Sequence, residues 1–397
     1  MAHDVLRTLL AWVEVLRPAL TRPGFDNALV VFVGWVLSSG PHAVTEALVV
    51  TDVARRRHHE RFHRFFSRGT WDPDEIGKLL FGRLLYWVDA GAPIQVALDD
   101  TLAPKKGPHV FGIGSHLDGV RSTKRFRVFS FGHVWVVLSV VVRVPFSPRP
   151  WALPVLFRLY RNKKECLSKS DSYSKKTELA RELVDVVAKW APGRQIHLAA
   201  DGAYCNDTLM RGLASTVTVF GAMRPDAVLT ALPTDKERRA TGRRRVRGKL
   251  LPKPEKLAGS SRRPWLTCEA ELYGRRRFVQ YKTIDAQWYR ACGTRLVRII
   301  VVRVETGAVQ FRTFFCTDTA QSASTILETY AGRWAIEVCF RDLKQPWLRR
   351  LLRSQEGRCG AHGPIRRLHL HNSRALVRAG QLAVHVRRPP VAPLVST

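Results

Sequence analysis

The sequence predicts a mixed α/β fold with a small helical part in front and a β-rich stretch inserted within it. Three observations carry this. Residues 1–90 place apolar side chains at helical spacing, as in VLRTLLAWVEVL and DEIGKLLFGRLLYWV. From Pro93 the period changes, and short β-branched runs flank one helical segment. Between residues 224 and 312 the composition turns basic and turn-rich, with alternating runs between the loops.

The elements follow in order. Pro23–Gly24 predicts a break in the N-terminal helices. RRRHHERFHRFFSRGTW (Arg55–Trp71) interleaves cations with aromatics, which suits contact with backbone phosphate. The same pattern also describes an amphipathic helix with a solvated basic face. IQVALDD is a short apolar run ending in two acids, and FSFGHVWVVLSVVVRV (Phe129–Val144) and LPVLFRLY read as further strands. SKKTELARELVDVVAKW (Ser174–Trp190) is helical. QIHLAADGAY reads as a strand ending at Asp201, and TVTVFGAM as one more strand. RRRFVQYKTI, RLVRIIVVRVETG and AVQFRTFFCTD alternate like antiparallel strands, with a hairpin turn at Glu305–Gly307.

Bulk composition narrows the function. With 397 residues and 45% hydrophobic residues the chain has material for a sizeable core, which excludes global disorder. A formal net charge of +32 calls for a polyanionic partner, nucleic acid above all, with acidic membrane as the rival. The longest apolar runs, Ala28–Leu37 and Val134–Val142, fall short of the roughly 20 residues of a membrane span. MAHDVLRTLLAWVEVL lacks a signal-peptide layout. Seven Cys without a Cys-x-x-Cys pair suggest neither a disulfide framework nor a zinc site. The expected location is the cytoplasm, on the nucleoid.

One stretch concentrates the chemistry. In YAGRWAIEVCFRDLKQ (Tyr330–Gln345) a helical advance of about 100° per residue brings Tyr330, Arg333, Glu337, Arg341 and Lys344 to one side. Ala335, Ile336, Cys339, Phe340 and Leu343 fill the other. A bland reading is an exposed helix with i,i+4 ion pairs. Two further acids, Asp100 and Asp201, end predicted strands, where α/β sheets form ligand crevices. Such an acid alone is commonly a turn former. Three carboxylates together can hold two divalent cations about 3.5–4 Å apart, with hard oxygen ligands favouring Mg²⁺ and Mn²⁺ as a substitute. Tyr330, Arg333 and Lys344 would then hold phosphate oxygens of the strand being cut.

The spacing Tyr330-x2-Arg333-x3-Glu337-x6-Lys344 resembles the signature of a large group of bacterial insertion-sequence DDE transposases. DDTL (Asp99–Leu102) looks like that group's first-Asp motif and ADGAYCN (Ala200–Asn206) like its second. The helical N-terminus, FHRFFSRGTW and FGHVWVVLSVV resemble its insertion-sequence-701-like branch, within the insertion-sequence-four superfamily. The resemblance covers roughly residues 10–345. It implies a ribonuclease-H-like catalytic core interrupted by a β-strand insertion before the helix with the Glu. It also implies a metal-binding catalytic triad of Asp100, Asp201 and Glu337. Asp99 is the ambiguous member of its pair; Asp100 is preferred because it directly precedes Thr101. Tyr330, Arg333, Lys344 and Arg341 are the expected DNA contacts. The implied partners are double-stranded DNA, as terminal inverted repeats and as target, and a second copy in a synaptic homodimer. An aromatic of the insertion is expected on a flipped base. Trp288 and Trp265 are the candidates, against the ordinary burial of Trp. The resulting map is 1–90 helical and DNA-binding, 91–223 first part of the core, 224–312 insertion, and 313–345 the core helix with Glu337.

After Lys344 the pattern fails. From Gln345 onward there are ten Arg, no Lys and one acid, Glu356, and Pro346 should end the helix. The abrupt shift predicts that residues 346–397 are translated out of frame, since permissible codons read one nucleotide later can give a peptide with helical periodicity. A divergent basic DNA-binding tail is the other reading. Three function classes follow: a DDE transposase, a decayed copy that binds transposon ends without cutting, and a host ribonuclease-H-like nuclease.

Overall fold

The computed structural model describes residues 2–344, except 39–42, 106, 108–109, 124, 169–170, 236, 238–244 and 305–310. The turn expected at Glu305–Gly307 and the tail from Gln345 lie outside the described residues. The described chain forms two compact units, one with residues 2–83, 144–146 and 342–344, the other with 84–143 and 147–341.

The first unit is helical: α1 (Ala2–Glu14), α2 (Arg22–Leu37), α3 (Val44–Val50), α4 (Glu60–Arg68) and α5 (Pro73–Leu84). Pro23–Gly24 does not break a helix but opens one. The Thr21 hydroxyl accepts from the Gly24 amide, and Pro23 occupies the first turn, where no amide donor is required. Val31, Ala47, Leu48 and Phe62 form the core. Gly34 lets α2 and α3 touch, since a Cβ there would lie 2.5 Å from the Ala47 carbonyl oxygen. The aromatics of Arg55–Trp71 serve packing. Phe62 is buried, Phe65 stacks on Trp71, and the Trp71 indole donates to the Phe65 carbonyl at 3.0 Å. The arginines between them, Arg55 to Arg57, Arg61, Arg64 and Arg68, are exposed.

The second unit is built on one continuous sheet. Its strands are β1 (Ile94–Pro104), β2 (Gly114–Leu117), β3 (Phe129–Val142), β4 (Trp151–Tyr160), β5 (Ile196–Ala200), β6 (Val217–Met223), β7 (Leu229–Thr230), β8 (Leu250–Leu251), β9 (Leu266–Leu272), β10 (Arg275–Gln287), β11 (Leu296–Arg303) and β12 (Phe311–Cys316). The order is β2-β3-β1-β5-β6-β12-β11-β10-β7-β8, with β4 on β3 and β9 on β10. β1 is antiparallel to β3, and β3 to β4, whereas β1, β5 and β6 are parallel. Parallel neighbours require a crossover, which α7 (Lys176–Trp190) supplies between β4 and β5 after the short α6 (Lys163–Ser168). Ala180, Leu183, Val184 and Val187 are the buried stripe of α7.

Residues 224–312 carry β7 to β11 and the start of β12, in the same unit as the central sheet. β12 pairs with β6, so the inserted strands extend the central sheet. β9 and β10 form a hairpin over Tyr273 (φ 56°) and Gly274 (φ 77°), the left-handed pair that a two-residue turn demands. Past α8 (Asp207–Met210), α9 (Pro254–Gly259) and α10 (Tyr289–Cys292) come α11 (Ala323–Gly332) and α12 (Trp334–Lys344). Tyr330 to Lys344 is thus not one helix. The Arg333 amide bonds to Tyr330 O, and the Ile336 amide to Arg333 O, a tightened turn between two segments.

Candidate active site

β1, β5 and β6 present their C-terminal ends along one edge of the sheet, where open α/β sheets place their ligand crevices. β1 meets that edge with Asp99 and Asp100, and Asp201 is the first residue past β5.

Neighbours on a strand face opposite ways. Ala97 is buried with Val137, Val141, Ala335, Ile336 and Phe340, which marks its face as the one α12 covers. Asp99 has the parity of Ala97 and lies opposite Val137. The β1–β5 register pairs Ala97 with Ala199 and Leu98 with Ala200. Extended by one residue, it sets Asp99 beside Asp201. Glu337 approaches the same face from the first turn of α12, where the helix dipole favours a carboxylate.

Arg333 joins these acids. Its Nη1 donates to Asp99 Oδ2 at 2.7 Å and its Nη2 to Glu337 Oε1 at 2.7 Å. Only 9% of the residue is exposed, and its Nε has no hydrogen-bond partner among the described residues. Burial works against the guanidinium charge, but Tyr330, Asp99 and Glu337 outweigh it and raise its pKa. Burial lifts the Asp99 carboxyl to about 6, with Asp100 and Asp201 pushing the same way; Arg333 and the Asp100 amide oppose them. Tyr330 packs on Phe314, with the Arg333 guanidinium carbon 5.5 Å from its ring centre. Burial raises its pKa, so the hydroxyl stays protonated.

Asp100, the residue preferred from the sequence, stands on the opposite face. Its Oδ2 accepts from Lys176 Nζ at 2.7 Å and its Oδ1 from the Tyr204 hydroxyl at 2.6 Å. Both oxygens are committed to holding the strand end. Burial, then Asp100, pushes the Tyr204 pKa upward, which keeps the hydroxyl a donor. Tyr204 also bonds through its amide to the Asp201 carbonyl at 2.9 Å, so one buried side chain ties the second acid's loop to the first acid's strand. Tyr204→Phe removes only that donor. It is expected to cost about 1.5–3 kcal/mol, the range for a bond to a charged group, seen as a lower urea midpoint at unchanged slope. An unchanged midpoint would show that the bond carries no weight.

None of the hydrogen bonds described at this cluster involves the other expected contacts. Arg341 is exposed, and Lys344 is the last described residue of α12. Leu343, expected on the apolar side, is 71% exposed. Trp288 packs against Phe315, and Trp265 sits under Lys282 at 4.5 Å; both are half-buried. Sequence reasoning missed Lys176 and Tyr204. The Tyr204 signal was available, three residues after Asp201 in the same motif.

The donor chemistry of Asp99, Asp201 and Glu337 fits a hard divalent cation, being all carboxylate oxygen. Among the described residues no three His, Cys, Asp or Glu side chains converge tightly enough to hold one. Arg333 spans two of the three carboxylates, so its charge takes the place a cation would fill.

Residues 15–287 match the family model described as DDE superfamily endonuclease. The chain belongs to that family. The match includes Asp99, Asp100 and Asp201 of this DDE superfamily endonuclease and stops short of Glu337. No curated protein matches the sequence. Among solved structures, the piggyBac transposase synaptic complex with hairpin DNA is similar at 10% identity and a TM-score of 0.37. The likeness covers 97% of this chain and 80% of that one. No described helix of the endonuclease is long and apolar enough to cross a membrane.

Proposed function

We propose that this DDE superfamily endonuclease is a transposase of the insertion-sequence-701-like branch, cutting transposon ends and joining them to target DNA. The observation that carries the reading is Arg333, bonded to both Asp99 and Glu337 at the strand end where Asp201 directly follows β5. Asp99 replaces Asp100 as the first acid in this reading, because it lies on the face that α12 covers and is joined to Glu337 through Arg333, whereas Asp100 turns to Lys176 and Tyr204 on the other face. The strand order β4-β3-β1-β5-β6, three antiparallel and two parallel, supports a ribonuclease-H-like core. The domain map of the sequence reading stands as part of the proposal, with DNA contacts on the exposed arginines of the helical unit.

Asp99, Asp201 and Glu337 would hold two Mg²⁺ ions. When bound, such ions activate the attacking water or 3′-hydroxyl and stabilise the leaving 3′ oxygen. Arg333 must first release Asp99 and Glu337, and its planar fork then suits a phosphate of the bound strand. Tyr330, protonated, donates beside it. Arg341 and Lys344 supply further charge toward the backbone. A synaptic homodimer on paired ends completes the reading.

The pH dependence follows from Asp99. A carboxyl must be ionised to ligate a cation. With its pKa raised to about 6, Asp99 holds its proton below that value, so metal-dependent cleavage is expected to fall as pH drops through about 6. The fold meanwhile favours protonated Asp99: as pH falls from about 6 toward the ordinary carboxylate value, this group adds stability rather than removing it. A rate profile flat between pH 5 and 7 (about one unit either side of 6) would remove Asp99 from the site.

The test is excision of an element flanked by its own terminal repeats, with Mg²⁺. The Arg-rich composition after Gln345 favours a second reading, a copy that binds ends without cutting. Excision by the chain as it stands supports the first. Excision only by a frame-restored version supports the second. Cleavage of any DNA end, regardless of repeats, would point to a ribonuclease-H-like host nuclease instead.

A further inference from the structure

The sheet face that carries Asp99 does not end at the acids. On β3, Val137 lies opposite Asp99, and Trp135, His133, Phe131 and Phe129 follow on the same face. The eight residue steps from Val137 to Phe129 make this row about 27 Å long. Its inner end is packed: Trp135 touches the core under α12 and meets Phe157 of β4 edge-to-face, ring centres 5.5 Å apart. Its outer end is open. Phe131 is 66% and Phe129 62% exposed, and the residues opposite them on β2, Ser115 and Leu117, are exposed too. Burying a Phe contributes about 1.5–3 kcal/mol, so a fold gains nothing by leaving two side by side in water.

The loop beside this row carries Arg121, Arg125 and Arg127, all exposed, and none is in an ion pair among the described residues. Such charge repels a second copy of a +32 chain and attracts a polyanion. Aromatics standing on an open sheet face, flanked by arginines, are what unpaired bases stack on, while the cations take the backbone. A paired duplex hides its base faces and has no use for the rings.

We propose that the outer β2–β3 face, centred on Phe129 and Phe131, binds single-stranded DNA by stacking unpaired bases, and leads that strand along the sheet to Asp99. The inference rests on the DNA-cutting reading, and it names the form of DNA that this side of the site takes: a strand freed or splayed beside the cut.

The test uses the full chain without divalent metal, so cleavage does not enter. Fluorescence anisotropy reads binding of a mixed-sequence single strand of about 20 nucleotides and of its duplex. Phe129→Ala with Phe131→Ala is expected to weaken single-strand binding at least tenfold, roughly, with little change for duplex and an unchanged salt slope. Arg121→Gln, Arg125→Gln and Arg127→Gln together are expected to flatten the salt slope for single strands by about 2. Phe131→Trp keeps a stacking ring; it should retain affinity and show quenched indole fluorescence on binding, which controls for folding. Single-strand affinity unchanged in the Phe pair overturns the proposal. So does an equal loss for duplex, or a change of oligomeric state in sedimentation with DNA affinity intact, which would assign the face to a second copy. Failure of the cutting reading looks different: with Mg²⁺ the parent chain would show no cleavage that Asp99→Asn removes, while the Phe pair still lost single-strand binding.

Discussion

Asp99→Asn is expected to abolish metal-dependent DNA cleavage, by on the order of a thousandfold or more, whereas Asp100→Asn is expected to cost about 10–100-fold. The two residues are adjacent, and only the direction of their side chains separates them. Asp99 lies on the face that α12 covers and reaches Glu337 through Arg333. An amide at that position keeps the shape but loses the charge a divalent cation needs. Asp100 serves Lys176 and Tyr204 on the other face. In Asp100→Asn the side-chain carbonyl can still accept from Tyr204, so the loop with Asp201 stays tied, and what is lost is the ion pair with Lys176. Single-turnover nicking of end DNA by both variants decides the matter. Loss of all cleavage in Asp100→Asn with activity kept in Asp99→Asn would return the first acid to Asp100 and undo the face argument.

Arg333→Met carries the largest expected effect on stability. The guanidinium is buried and neutralises two carboxylates, with Asp201 near the first. Removing one partner of a buried ionic group leaves uncompensated charge and costs about 3–5 kcal/mol. The cost should depend on pH. Without its nearest cation Asp99, already raised to about 6, titrates higher still. The variant is therefore least stable relative to the parent at pH 8 (about two units above 6) and recovers on acidification, as Asp99 takes up a proton. It should also be rescued by Mg²⁺ more than the parent is, because the cation restores the missing charge. Urea denaturation at two pH values, with and without Mg²⁺, reads all three. Equal destabilisation at both pH values and no response to the cation would show that Arg333 does not hold the acids in place.

Much of the second unit was legible from periodicity. IQVALDD, FSFGHVWVVLSVVVRV and LPVLFRLY became β1, β3 and β4, and the helix expected over Ser174–Trp190 became α7. β-branched runs and a clean helical stripe leave little competition at the local level. Which of Asp99 and Asp100 stands on the side that α12 covers was not legible. Strand alternation says that the two point opposite ways, but not which face a helix will cover; that depends on α12, more than 230 positions downstream in the register of the Arg333–Asp99 bond. The burial of Arg333 was not legible for a related reason. At helical spacing with Glu337 and Arg341 it looks like part of a solvated charged face, and only the packing of α12 on the sheet buries it. Pro23–Gly24 misled because a proline in the first turn and one inside a helix look alike without the Thr21 cap.

The pairing of β6 with β12 sets the order in which this chain can assemble. Met223 sits opposite Thr313, 90 positions later. Until β12 is made, β6 is an open edge with unpaired donors and acceptors, a template for the wrong neighbour. Closing that gap also carries the entropic cost of a long loop, which favours slow folding. A nascent chain on the ribosome must therefore hold a half-sheet with Asp99 and Asp201 in place while the whole insertion emerges. Glu337 joins only afterwards. On the proposed site the three acids can come together only after β12 and α12 have been made, so cutting would wait for both.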